Sequence, residues 1–196
     1  RSVCPSATMK VIYTNSWASI DLEKEAAESL IADGCVLISQ HADTTGASTA
    51  CEKAGVPIVG YNVSMIATAP TQALTSASID WGPYYTYAVK SVIDGTKIDT
   101  DWCKGYDDGA DKITELNDKA IAKGTKEKVK EVEDAIKDGS LHVFDTSTFT
   151  VDGKELDSWK DDNGNEYIKD GYFHESELHS APAFAINIDG IESVEK

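Results

Sequence analysis

Val56-Pro-Ile-Val-Gly-Tyr-Asn-Val-Ser-Met-Ile66 decides the fold: a short apolar, β-rich run opens behind a proline and ends in polar and aromatic groups. Two earlier stretches repeat the design, Val11-Ile-Tyr-Thr-Asn-Ser-Trp17 and Cys35-Val-Leu-Ile-Ser-Gln-His-Ala-Asp43, and a helical stretch separates each from the next. Strand, helix, strand, helix, strand is a βαβαβ unit. The tips of its parallel strands converge at one edge of the sheet, where ligands of such folds sit. Trp17, His41, Asp43 and Asn62 lie at those tips and are the first candidates for function.

The periodicity of the rest places the other elements. Ala26, Ala27, Leu30 and Ile31 share one face of a helix that Ser19 or Asp21 would cap and Gly34 would stop. Thr44-Thr-Gly-Ala-Ser-Thr starts a second helix that ends at Gly55. Leu74–Ser78 reads as a fourth strand, and Trp81–Gly95 as a helix with Pro83 in its first turn. Thr125–Gly139 is amphipathic, with a thin stripe of Val129, Val132 and Ile136 and a solvated face of Glu and Lys. Leu141–Phe144 resumes strand character. Asp152-Gly, Asn163-Gly and Asp170-Gly then punctuate short polar segments as hairpin turns. The expected fold is an α/β three-layer sandwich with a mostly parallel sheet, built from Met9–Tyr13, Cys35–Ser39, Pro57–Val59 and Leu74–Ser78, with Leu141–Phe144 as a further strand. Residues 1–144 form this lobe, and 145–196 form a β-rich flap and C-terminal extension in which Ala181–Ile188 supplies a short strand or packing segment.

Composition excludes several classes. The chain has 196 residues, 41% of them hydrophobic, enough for one substantial core, and no apolar run of membrane-spanning length. Thirty-four acidic against 18 basic residues make attraction to nucleic acid unfavourable. Cys4, Cys35, Cys51 and Cys103 lack the paired spacing of a zinc site. Cys35 and Cys51 read as small core residues, with one disulfide involving Cys4 or Cys103 left open. Asp161-Asp-Asn-Gly-Asn-Glu166 carries oxygen ligands but neither the spacing nor the flanking helices of a calcium loop, so it reads as a tight turn. Gly46 alone does not make a phosphate cradle. No Gly-x-Ser-x-Gly elbow is present, and Asp107 and Asp108 are adjacent rather than opposed, so the chain reads as non-catalytic, with neither cofactor nor metal.

From about Lys10 to Phe144 the sequence resembles the C-terminal lobe of the basic-membrane-protein family, substrate-binding lipoproteins that deliver purine nucleosides or related purines to ABC transporters. The marks are Val11–Trp17, Gln40-His-Ala-Asp43, Val59–Met65, Trp81-Gly-Pro-Tyr-Tyr85, Tyr106-Asp-Asp-Gly109 and Asp138–Phe144. The resemblance implies a periplasmic-binding-protein-like lobe, a missing N-terminal lobe, an ABC transporter permease as partner, a small purine or nucleoside as ligand, and an extracytoplasmic, membrane-anchored lipoprotein as the full-length protein. It adds Trp81 and Asp108 to the ligand-facing residues. It also marks two departures, since Asp107 stands where lysine is common in the family and Ser64 where aspartate is common.

Each candidate has a structural alternative. Trp17 and Trp81 stack on a base or cover the end of the sheet. Asn62 donates to and accepts from a purine edge, or closes a strand-end turn. His41 is a neutral pocket donor or acceptor, or is satisfied by Asp43. Two other functions compete: the sensory ectodomain of a receptor, and a nucleoside- or sugar-processing α/β enzyme.

Overall fold

A computed structural model describes residues 3–174, 177 and 186–194. In element order these form β1 (Met9–Val11), α1 (Ile20–Ala32), β2 (Ile38–Ser39), α2 (Gly46–Ala54), β3 (Ile58–Tyr61), β4 (Ala73–Ile79), α3 (Gly82–Asp94), β5 (Asp111–Ile113), α4 (Thr125–Lys137), β6 (Trp159–Lys160), β7 (Glu166–Lys169), β8 (Tyr172–Phe173) and β9 (Ile191–Ser193). The architecture is mixed α/β. The chain falls into two compact units, one of Lys10–Asp80, Asp111–Lys130 and Ser193–Lys196, the other of Arg1–Met9, Trp81–Ala110 and Glu131–Glu192.

The first unit holds a four-stranded sheet of order β2-β3-β4-β5. β2 and β4 flank β3 in parallel, and β5 closes the far side antiparallel, with Ala77 opposite Ile113. Asn117 locks that closure: its buried amide donates to the carbonyls of Pro70 (3.0 Å) and Ala73 (2.8 Å) while its own N–H reaches Leu74 O. The core is a cluster of small and branched side chains, including Ala27, Ile38, Ala47, Ala50, Cys51 and Ile58. Burial pushes the Cys51 thiol up to about 11, so it packs as a small hydrophobe. All four cysteines are free.

Gly46 explains how α1 and α2 pack so closely. A Cβ at this position would collide with the backbone carbonyl oxygen of Ile20 and sit 3.1 Å from Lys24 N. The glycine of the Thr-Thr-Gly-Ala stretch therefore serves helix contact. Ala47 and Ala50 continue the small surface along α2.

Three strand expectations need correction. Met9–Tyr13 does not enter the parallel sheet; β1 stops at Val11 and pairs with β9. Cys35–Ser39 shrinks to Ile38–Ser39, with Val36 and Leu37 exposed, because β2 has a neighbour on one side only. Leu141–Phe144 is not a strand. The Leu141 N–H turns back to Ala135 O at the end of α4, and His142 stacks flat on Tyr172 at 3.5 Å, leaving only an isolated bridge from Asp145 to Tyr172. β5 went unseen because three residues, two of them charged, carry no readable period.

In the second unit, β6-β7-β8 form an antiparallel sheet over its own core of Tyr167, Ile168 and Phe173, joined by Trp159 and Ile186. Asp170 and Gly171 both take positive φ between the paired Lys169 and Tyr172, the type I′ hairpin that Asp-Gly favours. The Asp161 carboxylate accepts from Asn163 N, Asn165 N and Asn165 Nδ2, bonds that hold it below the usual carboxylate range. Its lone pairs close a turn. The Ala181–Ile188 segment lies outside the described residues up to 185, and residues 186–188 are not strand.

Gly46→Ala is expected to destabilise the chain by about 1–3 kcal/mol, because the carbonyl it meets is backbone and cannot rotate away. Urea unfolding measures this; an unchanged midpoint would show that α1 and α2 separate freely.

Candidate functional site

Three loops meet at the strand-tip edge of the first unit. The loop after β1 ends at Trp17, whose carbonyl accepts from Asp43 N–H at 2.9 Å, so the loops after β1 and β2 are stitched together. Gln40, the first residue after β2, fixes the second loop from inside. Its Nε2 donates to Ala42 O (2.8 Å) and Thr44 O (2.7 Å), while its Oε1 accepts from Ser48 Oγ (3.3 Å). His41 and Asp43 are therefore presented outward on a held loop, both exposed.

Beneath them sits a buried carboxylate. Glu23 in the first turn of α1 is 4% exposed; its Oε1 accepts from Ser19 N–H and its Oε2 from Thr44 N–H, each at 3.2 Å. Ser19 caps the same helix, its Oγ accepting from Leu22 N–H. This reciprocal capping places the negative charge at the positive end of α1 and spends its second oxygen on the neighbouring loop. Sequence reading passed over Glu23 and Gln40 because each looks like an ordinary polar residue of a helix or strand end. The signal was Glu four residues after Ser.

At the third tip, His41 lies edge-on to Tyr61 with ring centroids 4.4 Å apart. Asn62 follows with φ of 67°, its N–H donating to Ala77 O and its carbonyl accepting from Ser78 Oγ. An asparagine tolerates this left-handed turn, so the turn role is real, and its side chain is exposed at the edge. Trp17 is 82% exposed, an indole surface with no core role. A cleft of about 540 Å³ opens beside it, with Asn15, Trp17, Glu23 and His41 and the apolar Ile12 and Leu30 among its lining.

Trp81 and Asp108 belong to the other unit. Trp81 precedes α3 and heads an aromatic group with Tyr84 and Tyr85, ring centroids 6.4 and 6.3 Å away, while Tyr84 meets Trp102 at 5.4 Å. Asp108 is exposed and paired with Lys104 at 3.4 Å. Among the described residues no group of His, Cys, Asp and Glu is placed to hold a metal ion, and no helix is long and apolar enough to cross a membrane.

The parallel strands β2 and β3 carry exposed His41, Asp43 and Asn62 just past their ends, the edge that open α/β sheets use for ligands. A model of ABC transporter substrate-binding proteins, PnrA-like, matches residues 1–142, and the chain belongs to that family, Bmp, which is a class of binding proteins rather than enzymes. A purine-binding protein of Brucella abortus is 34% identical over 155 residues, covering 79% of this chain and 44% of the relative. A putative ABC transporter glucose-binding protein of Haloferax volcanii, TsgA13, is 32% identical over 157 residues, 80% of this chain and 40% of that one. The chain thus spans less than half the length of these curated relatives. Among solved structures, an ABC transporter solute-binding protein from Conexibacter woesei aligns with a TM-score of 0.50 at 21% identity, over 67% of this chain and 44% of its own. A transcriptional activator of the comK gene from Bacillus halodurans aligns at 0.59 and 15% identity, over 67% and 47%. These two share the fold.

Glu23→Ala is expected to cost about 1–3 kcal/mol, since two amide donors lose their acceptor. Trp17 emission should change with it, because the carboxylate ties its loop. Unaltered stability and fluorescence would show the bridge to be incidental.

Proposed function

We propose that this chain is the ligand-binding lobe of the solute-binding component of an ABC importer, and that its solute is a purine base or nucleoside. The observation that carries this is the stitched edge: Trp17 and Asp43 joined by a backbone hydrogen bond, with His41 beside them on Tyr61. An exposed indole supplies a stacking face, while His41, Asp43 and Asn62 supply donors and acceptors for a base edge and ribose hydroxyls. Trp81 and Asp108 join that set in this reading. Residues 1–144 make up the lobe and 145–196 its extension. The full protein adds an N-terminal lobe, closes over the ligand to exclude water, hands it to a permease, and is held outside the cytoplasm by a lipid anchor.

A hexose is the second reading, raised by the glucose-binding name of the Haloferax relative. Carboxylates such as Asp43 and Asp108 accept from sugar hydroxyls, and Trp17 would stack on a sugar face. Asp107 and Ser64, where the family resemblance expects lysine and aspartate, leave the choice of solute to experiment.

Calorimetry of the full two-lobed polypeptide against adenosine, guanosine, adenine and glucose separates these readings. Saturable purine heat without glucose heat is the expected result. Glucose binding alone favours the hexose, and turnover of a nucleoside overturns the assignment to a binding protein. Asn62→Ala and Asp108→Ala should each weaken binding by about 1–3 kcal/mol, more than they weaken folding, with Asn62→Ala also lowering the melting temperature slightly because alanine is strained at its left-handed backbone. If both leave affinity intact, the ligand sits elsewhere.

A further inference from the structure

The strand-tip edge continues past Asn62. β5 runs antiparallel beside β4, so it begins at the end of the sheet where β3 and β4 finish. Tyr61 is level with Ala77, which puts Asn62 level with Ser78, and Ser78 is opposite Lys112. The row is tied together, since Ser78 Oγ donates to the Asn62 carbonyl at 2.8 Å. Asn62, Ser78 and Lys112 therefore lie side by side across three strands of the first unit, with the Lys112 backbone two strand spacings, about 10 Å, from that of Asn62. Residues directly opposite in an antiparallel pair send their side chains to the same face, so Lys112 and Ser78 share one.

Lys112 is held in place without being used up. Its Nζ pairs with Asp80 Oδ2 at 2.8 Å, and both side chains keep close to half of their surface in solvent. That pair occupies one N–H of an ammonium that carries three. An exposed cross-strand ion pair adds little to stability. Its effect is to fix the direction of a long side chain, and a donor ordered before the solute arrives costs less to order on binding.

The chemistry of the two residues at the ends of the row differs. An asparagine amide donates and accepts, whereas an ammonium only donates. Purines divide on that difference. Guanine and hypoxanthine carry O6 beside N7, two neighbouring acceptors, and adenine puts an amino donor where O6 stands. A lysine bonds the first arrangement and meets a donor with a donor in the second. We propose that Lys112 is a further ligand-edge residue, and that it makes the solute a 6-oxopurine base or nucleoside in preference to adenine or adenosine. This rests on the purine reading above and adds to it the choice of base. Sequence reading passed over Lys112 because β5 is short and two of its three residues are charged, so nothing in the sequence announced that it starts beside the strand tips.

The test is calorimetry of the full two-lobed polypeptide with guanosine, inosine and adenosine, in the native sequence and in Lys112→Met and Lys112→Arg. Inosine keeps O6 and lacks the 2-amino group of guanosine, so it separates the two. The native protein is expected to bind guanosine and inosine each at least about tenfold more tightly than adenosine, the discrimination that one good base contact gives. Lys112→Met should bring both down to the adenosine level while adenosine affinity changes by less than about threefold, and Lys112→Arg, which donates to the same two acceptors, should keep the preference. The retained adenosine binding reports that the methionine variant is folded. A native protein that prefers adenosine, or that prefers guanosine but not inosine, overturns the proposal. So does Lys112→Met weakening all three nucleosides equally, or none of them. Each of these leaves the purine reading standing; a native protein that binds no purine at all removes both.

Discussion

The Glu23 carboxylate is the contact on which the proposed ligand edge depends. Buried, it is held by two backbone N–H groups and by the amino end of α1. One of those donors, Ser19, follows Trp17 closely, and the other, Thr44, follows Asp43 directly, so a single side chain sets the spacing of the first two strand tips. Gln40 completes the arrangement by bonding the second loop to itself and to α2. Neither residue needs to touch a solute. They hold an aromatic face and a carboxylate in fixed relation, which would lower the ordering cost of binding in the proposed function.

The same packing explains why α2 begins with small residues where it meets α1. Gly46 lets the start of α2 approach the start of α1 at backbone distance, and Ala47 and Ala50 maintain the approach. That closeness brings Thr44 within reach of Glu23. A larger residue at position 46 would disturb the site through the helix contact alone.

Helices were legible in the sequence and strand partners were not. Ser19, Pro83, Gly55 and Gly95 mark helix ends by local chemistry, and the observed bounds follow them. The Asp170-Gly171 hairpin was legible for the same reason. Which strand lies beside which is decided by distant residues, so Met9–Val11 pairs with β9 and Leu141–Phe144 gives way to the His142–Tyr172 stack. At the site, His41, Asp43 and Asn62 were readable as the ends of parallel strands, whereas Trp17 follows a strand outside that sheet and is joined to the second loop through Asp43. Glu23 and Gln40 were not, because a buried carboxylate and a solvent-facing one are the same letter until the fold decides.

The central claim is that Trp17, His41, Asp43 and Asn62 form one ligand-facing edge. The most direct measurement is an NMR titration of the chain with adenosine, following the Trp17 indole N–H together with the backbone amides of His41, Asp43 and Asn62. The account predicts that these resonances move together along one weak saturation curve, while amides of the β6-β7-β8 sheet stay still. Shifts confined to that second sheet, or no shifts at all up to the solubility limit of adenosine, would contradict it.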